Sequence, residues 1–168
     1  MQLFDVALPD VKGESHSLTD VLGERGTVVV FVATGCPTAR AYEDRLIALE
    51  DSLEADGMRL VAVNSYNPSL SPPDTMQEMS ARAAARRFNF AYLKDADGSL
   101  ARSFGAACTP HAFLLDKDRR IVYDGRIDDS RVGDRITSRD LENAIADVVA
   151  GRAVKVQHTE PFGCSIVW

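Results

Sequence analysis

Residues 27–40 read TVVVFVATGCPTAR. The unbroken apolar run Val28–Ala33 predicts a buried strand. Thr34-Gly35 ends it, and Cys36-Pro37 opens a helical pattern. Proline suits the first helical position, because its missing N–H would be unpaired there anyway. This order puts a thiol at the first turn of a helix, where unpaired N–H groups and the helix dipole favour negative charge. The thiolate is the reactive form of cysteine, and a helix N-terminus lowers a cysteine's pKa. Cys36 is therefore the candidate nucleophile.

Downstream, Thr38–Ala55 predicts one long helix with Ala41, Tyr42, Arg45, Leu46, Leu49 and Leu53 on a common face. The charges Glu43, Asp44, Glu50 and Asp51 fall mostly on the other. Met58–Val63 predicts a second buried strand. Asn64–Asp74, with three prolines, is a polar loop at its C-terminal end, the edge at which open α/β sheets bind ligands. A helix over 75–87 follows, with Arg82, Arg86 and Arg87 on a solvated face. Then come a strand over 89–93 and a short helix over 99–104. Cys108-Thr109-Pro110 leads into a strand over 111–116, which a charged turn joins to a return strand over 121–124. A charged loop and a helix over 138–150 precede a tail without helical period. Upstream, residues 2–8 predict a short edge strand, 13–17 a hairpin or loop, and 17–22 a short helix. The order βαβαβα(α)ββα predicts a mixed sheet with helices on both faces.

The chain has 168 residues, 45% hydrophobic and 26% charged, with a net charge of −6. That balance predicts a packed core. It lacks the basic surface of a nucleic-acid binder and gives anionic membranes nothing to attract. No stretch approaches the roughly 20 apolar residues of a membrane span, and the first residues lack the pattern of a secretory signal. The expected location is cytoplasmic. In a reducing compartment the three cysteines, Cys36, Cys108 and Cys164, are expected to be free, catalytic or metal-bound rather than structural disulfides.

The element order, Cys36-Pro37 at the strand-to-helix turn and Thr109-Pro110 before a strand resemble a thioredoxin-like fold. This is an α/β three-layer sandwich with a mixed central sheet flanked by helices. The N-terminal part and the motifs GCPTARAYEDRL, AACTPHAFLLD, VYDGRIDD and PFGCSIVW resemble the redoxin branch, the alkyl hydroperoxide reductase/thiol-specific antioxidant (AhpC/TSA) family. The likeness covers nearly the whole chain. It implies a thioredoxin-like domain over 1–151, with the tail 152–168 as part of it, and a cis peptide bond before Pro110. The chain departs from the pattern at informative places. A thioredoxin has its second cysteine three residues after the first, and here that residue is Ala39. A peroxiredoxin carries Thr or Ser three residues before its reactive cysteine and Pro seven before. Here those are Ala33 and Val29, with Thr34 displaced by one.

The resemblance implies a thiol-dependent oxidoreductase. The Cys36 thiolate attacks a disulfide sulfur or a peroxide oxygen, Cys108 or Cys164 resolves the product, and an external dithiol restores the thiols. Cys108, two residues before Pro110, is expected close to Cys36. Cys164 either swings in, from the same chain or a second copy, or stays inert in a docked tail. Thr34, Pro37, Thr109 and Pro110 are the expected substrate contacts, with the Thr109 backbone offered to an extended thiol substrate. Arg40 is expected to face solvent, Arg126 to pair with Asp128 or Asp129, and His111 to pack. No cofactor and no resident metal are implied, and the protein is expected to be a monomer or homodimer. A peroxidase is the alternative. A copper or zinc module using Cys36, Cys108 and His111 is a weaker one, because the residue four after Cys36 is Arg40 rather than a second cysteine.

Overall fold

The computed structural model describes residues 3–168. Strand β3 (Gly26–Val32) is buried along its whole length and lies at the centre of a five-stranded sheet. The other strands are β4 (Arg59–Asn64), β5 (Ala91–Lys94), β7 (His111–Asp116) and β8 (Ile121–Gly125), in the order β5-β4-β3-β7-β8. β3 runs parallel to β4, with Val29 opposite Val61, and antiparallel to β7, with Val29 opposite Phe113. A strand covered on both faces needs apolar side chains in both directions, which explains the unbroken run. The sheet is mixed and flanked by helices, as the element order predicts.

On one side Phe31 of β3, Phe113 of β7 and Phe104 of helix α5 (Ser99–Phe104) meet edge to face, with centroids 5.1–5.7 Å apart. Such geometry suits the aromatic quadrupole. The N-terminal segment also packs here, with Phe4 6.5 Å from Phe104.

Four local expectations change. The edge strand expected over 2–8 is confined to β1 (Leu8–Pro9), paired with β2 (Ser15–His16). Leu3–Asp5 is a 3-10 turn whose Phe4 carbonyl accepts a bond from the Thr19 hydroxyl of helix α1 (Leu18–Val21), and Gln2 lies outside the described residues. The long helix breaks at Tyr42 into α2 (Pro37–Ala41) and α3 (Glu43–Ala55). Tyr42 is buried, and its hydroxyl donates to Asp128 at 2.8 Å, so the chain turns to deliver it. Glu43 and Glu50, expected outside, are buried. Arg82 of helix α4 (Met76–Arg86) clamps Glu43, and Arg86 pairs with Asp44, so this arginine face is partly an ion-paired contact with α3. Glu50 accepts the Leu60 N–H, and burial raises its pKa.

After helix α6 (Asp140–Val149) the tail folds back over the sheet. Gln157 and Thr159 bond the backbone of Asp124 at the edge of β8. Strand β9 (Cys164–Ser165) then pairs antiparallel with β6 (Cys108–Thr109). Among the described residues no helix is long and apolar enough to cross a membrane.

Candidate redox site

Cys36 is the N-cap of α2, and its Sγ accepts the Ala39 N–H at 3.3 Å. A side chain that accepts an orphan N–H of the first turn is the role an N-cap performs. Here that acceptor is sulfur. The carbonyl oxygen of Thr109 lies 3.4 Å from the same sulfur, and the Thr109–Pro110 peptide bond is cis. Cys36 is 1% exposed.

Of the two expected partners, the structure joins Cys36 to Cys164, with Cα atoms 6.0 Å apart, within the span a disulfide permits. The β6–β9 register explains the choice. Thr109 sits opposite Cys164, and Cys108 opposite Ser165. Successive side chains alternate faces of a strand, so Cys164 shares a face with Thr109 and Cys108 projects from the other. Cys108 is free and half-buried. Burial, with Glu160 nearby, pushes its pKa up, which disfavours the thiolate that a resolving role requires.

The remaining expected residues sort by what they touch. Pro37 is exposed at the rim as the first residue of α2, while Thr109 and Pro110 are buried beneath the tail. Thr34 is turned inward. Its hydroxyl bonds the Tyr92 hydroxyl at 2.9 Å, and its N–H donates to Asp74 at 2.7 Å. Arg40 is exposed. Arg126 pairs with Asp140 at 2.7 Å, not with Asp128 or Asp129. Asp128 is taken by Arg45 and Tyr42, and Asp129 by Thr137 and Ser138. His111 packs as expected, stacked on Phe113 with centroids 4.4 Å apart. Its Nδ1 accepts the Ala107 N–H, so the ring proton of the neutral form sits on Nε2, toward Asp124. Burial lowers its pKa.

Sequence reasoning missed the residues that hold the tail and those beneath the turn. Val167 accepts the Asn67 N–H at 2.6 Å, Ile166 is buried, and the Trp168 ring lies 4.3 Å from the Arg102 guanidinium. Asn64, Tyr66, Asp74, Tyr92 and Lys94 form a buried polar group below Thr34-Gly35. The polar loop over 64–74 is the signal the sequence offers here, and it points to a sheet edge, not to these contacts.

Gly163, just before Cys164, has φ +153° and lies so close to the Thr109 carbonyl that a Cβ would overlap it. Gly163→Ala is expected to loosen the tail, since backbone strain of this kind costs about 1–3 kcal/mol. In the reduced protein Cys164 should then alkylate about tenfold faster or more. An unchanged rate would show that the Gly163–Thr109 approach does not hold the tail.

A comparison with curated proteins finds no match. Among solved structures, a hypothetical protein from Sinorhizobium meliloti 1021 is 34% identical, with a TM-score of 0.89, covering 97% of this chain and 90% of that one. An uncharacterized conserved protein from Geobacillus kaustophilus is 32% identical, with a TM-score of 0.90, covering 96% of this chain and 87% of that one. Peroxiredoxin Q from Xanthomonas campestris is 18% identical, with a TM-score of 0.66, covering 90% of this chain and 93% of that one. This last likeness concerns the fold alone. Residues 2–124 match the AhpC/TSA family. With that match across most of its length and a thioredoxin-like sheet carrying a cysteine at the β3–α2 turn, the chain belongs to the AhpC/TSA family.

Proposed function

We propose that this protein is a thiol–disulfide oxidoreductase in which Cys36 is the nucleophile and Cys164 of the same chain resolves it. The observation that carries the reading is the Cys36–Cys164 disulfide, formed between an N-cap sulfur and a tail strand paired to β6. In the reducing direction the Cys36 thiolate attacks one sulfur of a substrate disulfide, and the substrate's other sulfur leaves as a thiolate. The Cys164 thiolate then attacks the Cys36 sulfur. The remaining substrate thiolate departs, and the Cys36–Cys164 bond forms. The tail 152–168 works as part of the redoxin domain, and resolution needs no second copy.

An external dithiol, expected in the cytoplasm, reverses the last bond. Cys36 is shielded, whereas Cys164 is only half-buried. The reductant thiolate therefore attacks the Cys164 sulfur, and the electron pair of the broken bond goes to Cys36. A thiolate stabilised by the Ala39 N–H is the better leaving group. Disulfide exchange is preferred to peroxide reduction on the geometry of the turn. The Thr34 hydroxyl faces Tyr92, and the Thr34 and Gly35 N–H groups are engaged by Asp74. Ala33 offers no hydroxyl to a peroxide.

The test is peptide-mapped mass spectrometry of the reduced protein after one equivalent of a small disulfide, and separately of hydrogen peroxide. The disulfide should give a Cys36–Cys164 crosslink with Cys108 free. A monothiol added to the oxidised form and quenched in acid should be found on Cys164. A Cys36–Cys108 crosslink would replace the resolving residue. Fast oxidation by peroxide alone would favour the peroxidase.

A further inference from the structure

The turn that carries Cys36 is held from 40 residues away. Asp74 is fully buried, and its Oδ1 accepts the Thr34 N–H at 2.7 Å, the Gly35 N–H at 3.2 Å and the Asn64 amide at 2.9 Å. Its Oδ2 accepts the Ser71 hydroxyl at 2.6 Å. Next to it Lys94, 4% exposed, sits at the end of β5. The ammonium donates to the Asp74 carbonyl at 2.7 Å, the Tyr66 carbonyl at 2.7 Å and Asn64 Oδ1 at 3.0 Å. Each of its protons has an acceptor. Tyr66 in turn bonds the Thr109 hydroxyl through its own, at 2.9 Å. Lys94 is thus one bond from the residue that holds the Cys36 turn and one bond from the residue that holds the Thr109 strand.

We propose that Asp74 and Lys94 are positioning residues of the redox site. Asp74 sets the turn before Cys36 and places a negative charge behind it, while Lys94 ties that turn to the Thr109 strand and balances the charge. The inference rests on Cys36 being the nucleophile. Two buried charged side chains add little net stability over apolar ones of the same volume, and the ammonium meets the Asp74 backbone carbonyl rather than its carboxylate, so stability does not explain them. The bonds converge instead on the two segments that flank the reactive sulfur. Charge also acts there with little screening by salt. A carboxylate behind the turn opposes the Cys36 thiolate, and the ammonium favours it.

The other titratable groups facing the pair are Asp95, Tyr66 and Tyr92. Burial raises the pKa of both tyrosines. Burial also pulls Lys94 down to about 8, against the opposing pull of Asp74 and Asp95. The ammonium is therefore fully present below pH 7 and is lost as the pH rises through about 8.

The test measures the iodoacetamide reaction of Cys36 against pH in the reduced full-length protein, with peptide mapping to separate the three cysteines. Asp74→Asn keeps an oxygen for the turn N–H groups and removes the charge. It should lower the pH midpoint of Cys36 by half a unit or more, so that one unit below the wild-type midpoint the reaction runs about threefold faster. Lys94→Gln should raise the midpoint by a similar amount and slow the reaction, with the difference from wild type narrowing above pH 8. A role confined to stability would move both variants in the same direction or neither. The proposal is overturned by an unchanged midpoint in Asp74→Asn or by shifts of the same sign. If Lys94→Gln does not fold, the Asp74→Asn midpoint decides alone. A wild-type Cys36 with the midpoint of an ordinary thiol, about 8.5, would instead sink the reading of Cys36 as nucleophile, whatever the variants do.

Discussion

Cys36→Ser is expected to abolish thiol–disulfide turnover, with a loss on the order of a thousandfold or more, as removal of a nucleophile generally does. Serine keeps the N-cap, since its hydroxyl accepts the Ala39 N–H at least as well as sulfur does. The loss is therefore chemical, not structural, and thermal unfolding of the reduced variant should match that of the reduced parent. Cys164→Ser separates the two steps. Attack by Cys36 survives, but the mixed disulfide it forms has no nearby thiol to resolve it. One equivalent of a small disulfide should accumulate on Cys36, visible as an intact adduct by mass, while steady turnover falls to the rate at which external thiol attacks the shielded sulfur. Cys108→Ser should leave both steps near wild type, because Cys108 projects from the other face of the β6–β9 ladder. Turnover that survives Cys36→Ser would remove the proposed function. Turnover lost equally in Cys108→Ser would reinstate Cys108 as the resolving thiol.

Much of this site is legible in sequence because it is local. A six-residue apolar run, a breaking Thr-Gly and a Cys-Pro specify strand, turn and helix start through neighbours only, whereas the cis bond at Thr109-Pro110 is expected from the family resemblance rather than from its neighbours. What decides the chemistry is not local. Cys164 reaches Cys36 across 128 residues because Gly163 lets the tail pass against Thr109, and because the segments around His158 and Trp168 are both docked. No periodicity in an irregular tail encodes that crossing, so the sequence leaves Cys108 and Cys164 open as alternatives. The burial and pairing of charges escape the sequence for a related reason. Glu43 follows the helical face correctly as a polar residue, but Arg82 reaches it from α4 and makes its burial tolerable. Arg126 finds Asp140 rather than the neighbouring Asp128, which Arg45 occupies from α3. Helix periodicity places a side chain on a face. It does not say which opposite charge will meet it there.

Reduction of the Cys36–Cys164 bond is expected to lower the melting temperature by about 10 °C or more. The bond spans 128 residues, and the chain-entropy relation for a loop of that length gives about 5 kcal/mol, near the top of the observed range of roughly 0–5. A domain of this size shifts by about 2–4 °C for each kcal/mol. The native state itself should change little. The tail's pairing to β6, its bonds to Asp124 and its contacts at Ile166 and Trp168 do not depend on the covalent link, so the reduced tail is expected to stay docked in most molecules and to expose Cys36 by local opening. Most of the effect therefore lies in the unfolded chain, which regains the freedom the crosslink removes. The measurement compares thermal unfolding by circular dichroism with and without a phosphine reductant, in Cys108→Ser so that no third thiol exchanges during heating. Cys164→Ser should melt where the reduced protein does and should not respond to reductant. A drop below about 3 °C, with the crosslink verified by mass beforehand, would contradict the loop-closure account. It would mean that the oxidised tail is strained, or that the unfolded chain already holds Cys164 near Cys36. A drop far larger than loop closure allows would mean that the tail undocks on reduction. The site would then open to an incoming disulfide only in its dithiol form, and the Gly163→Ala variant would no longer differ from wild type in the reduced state.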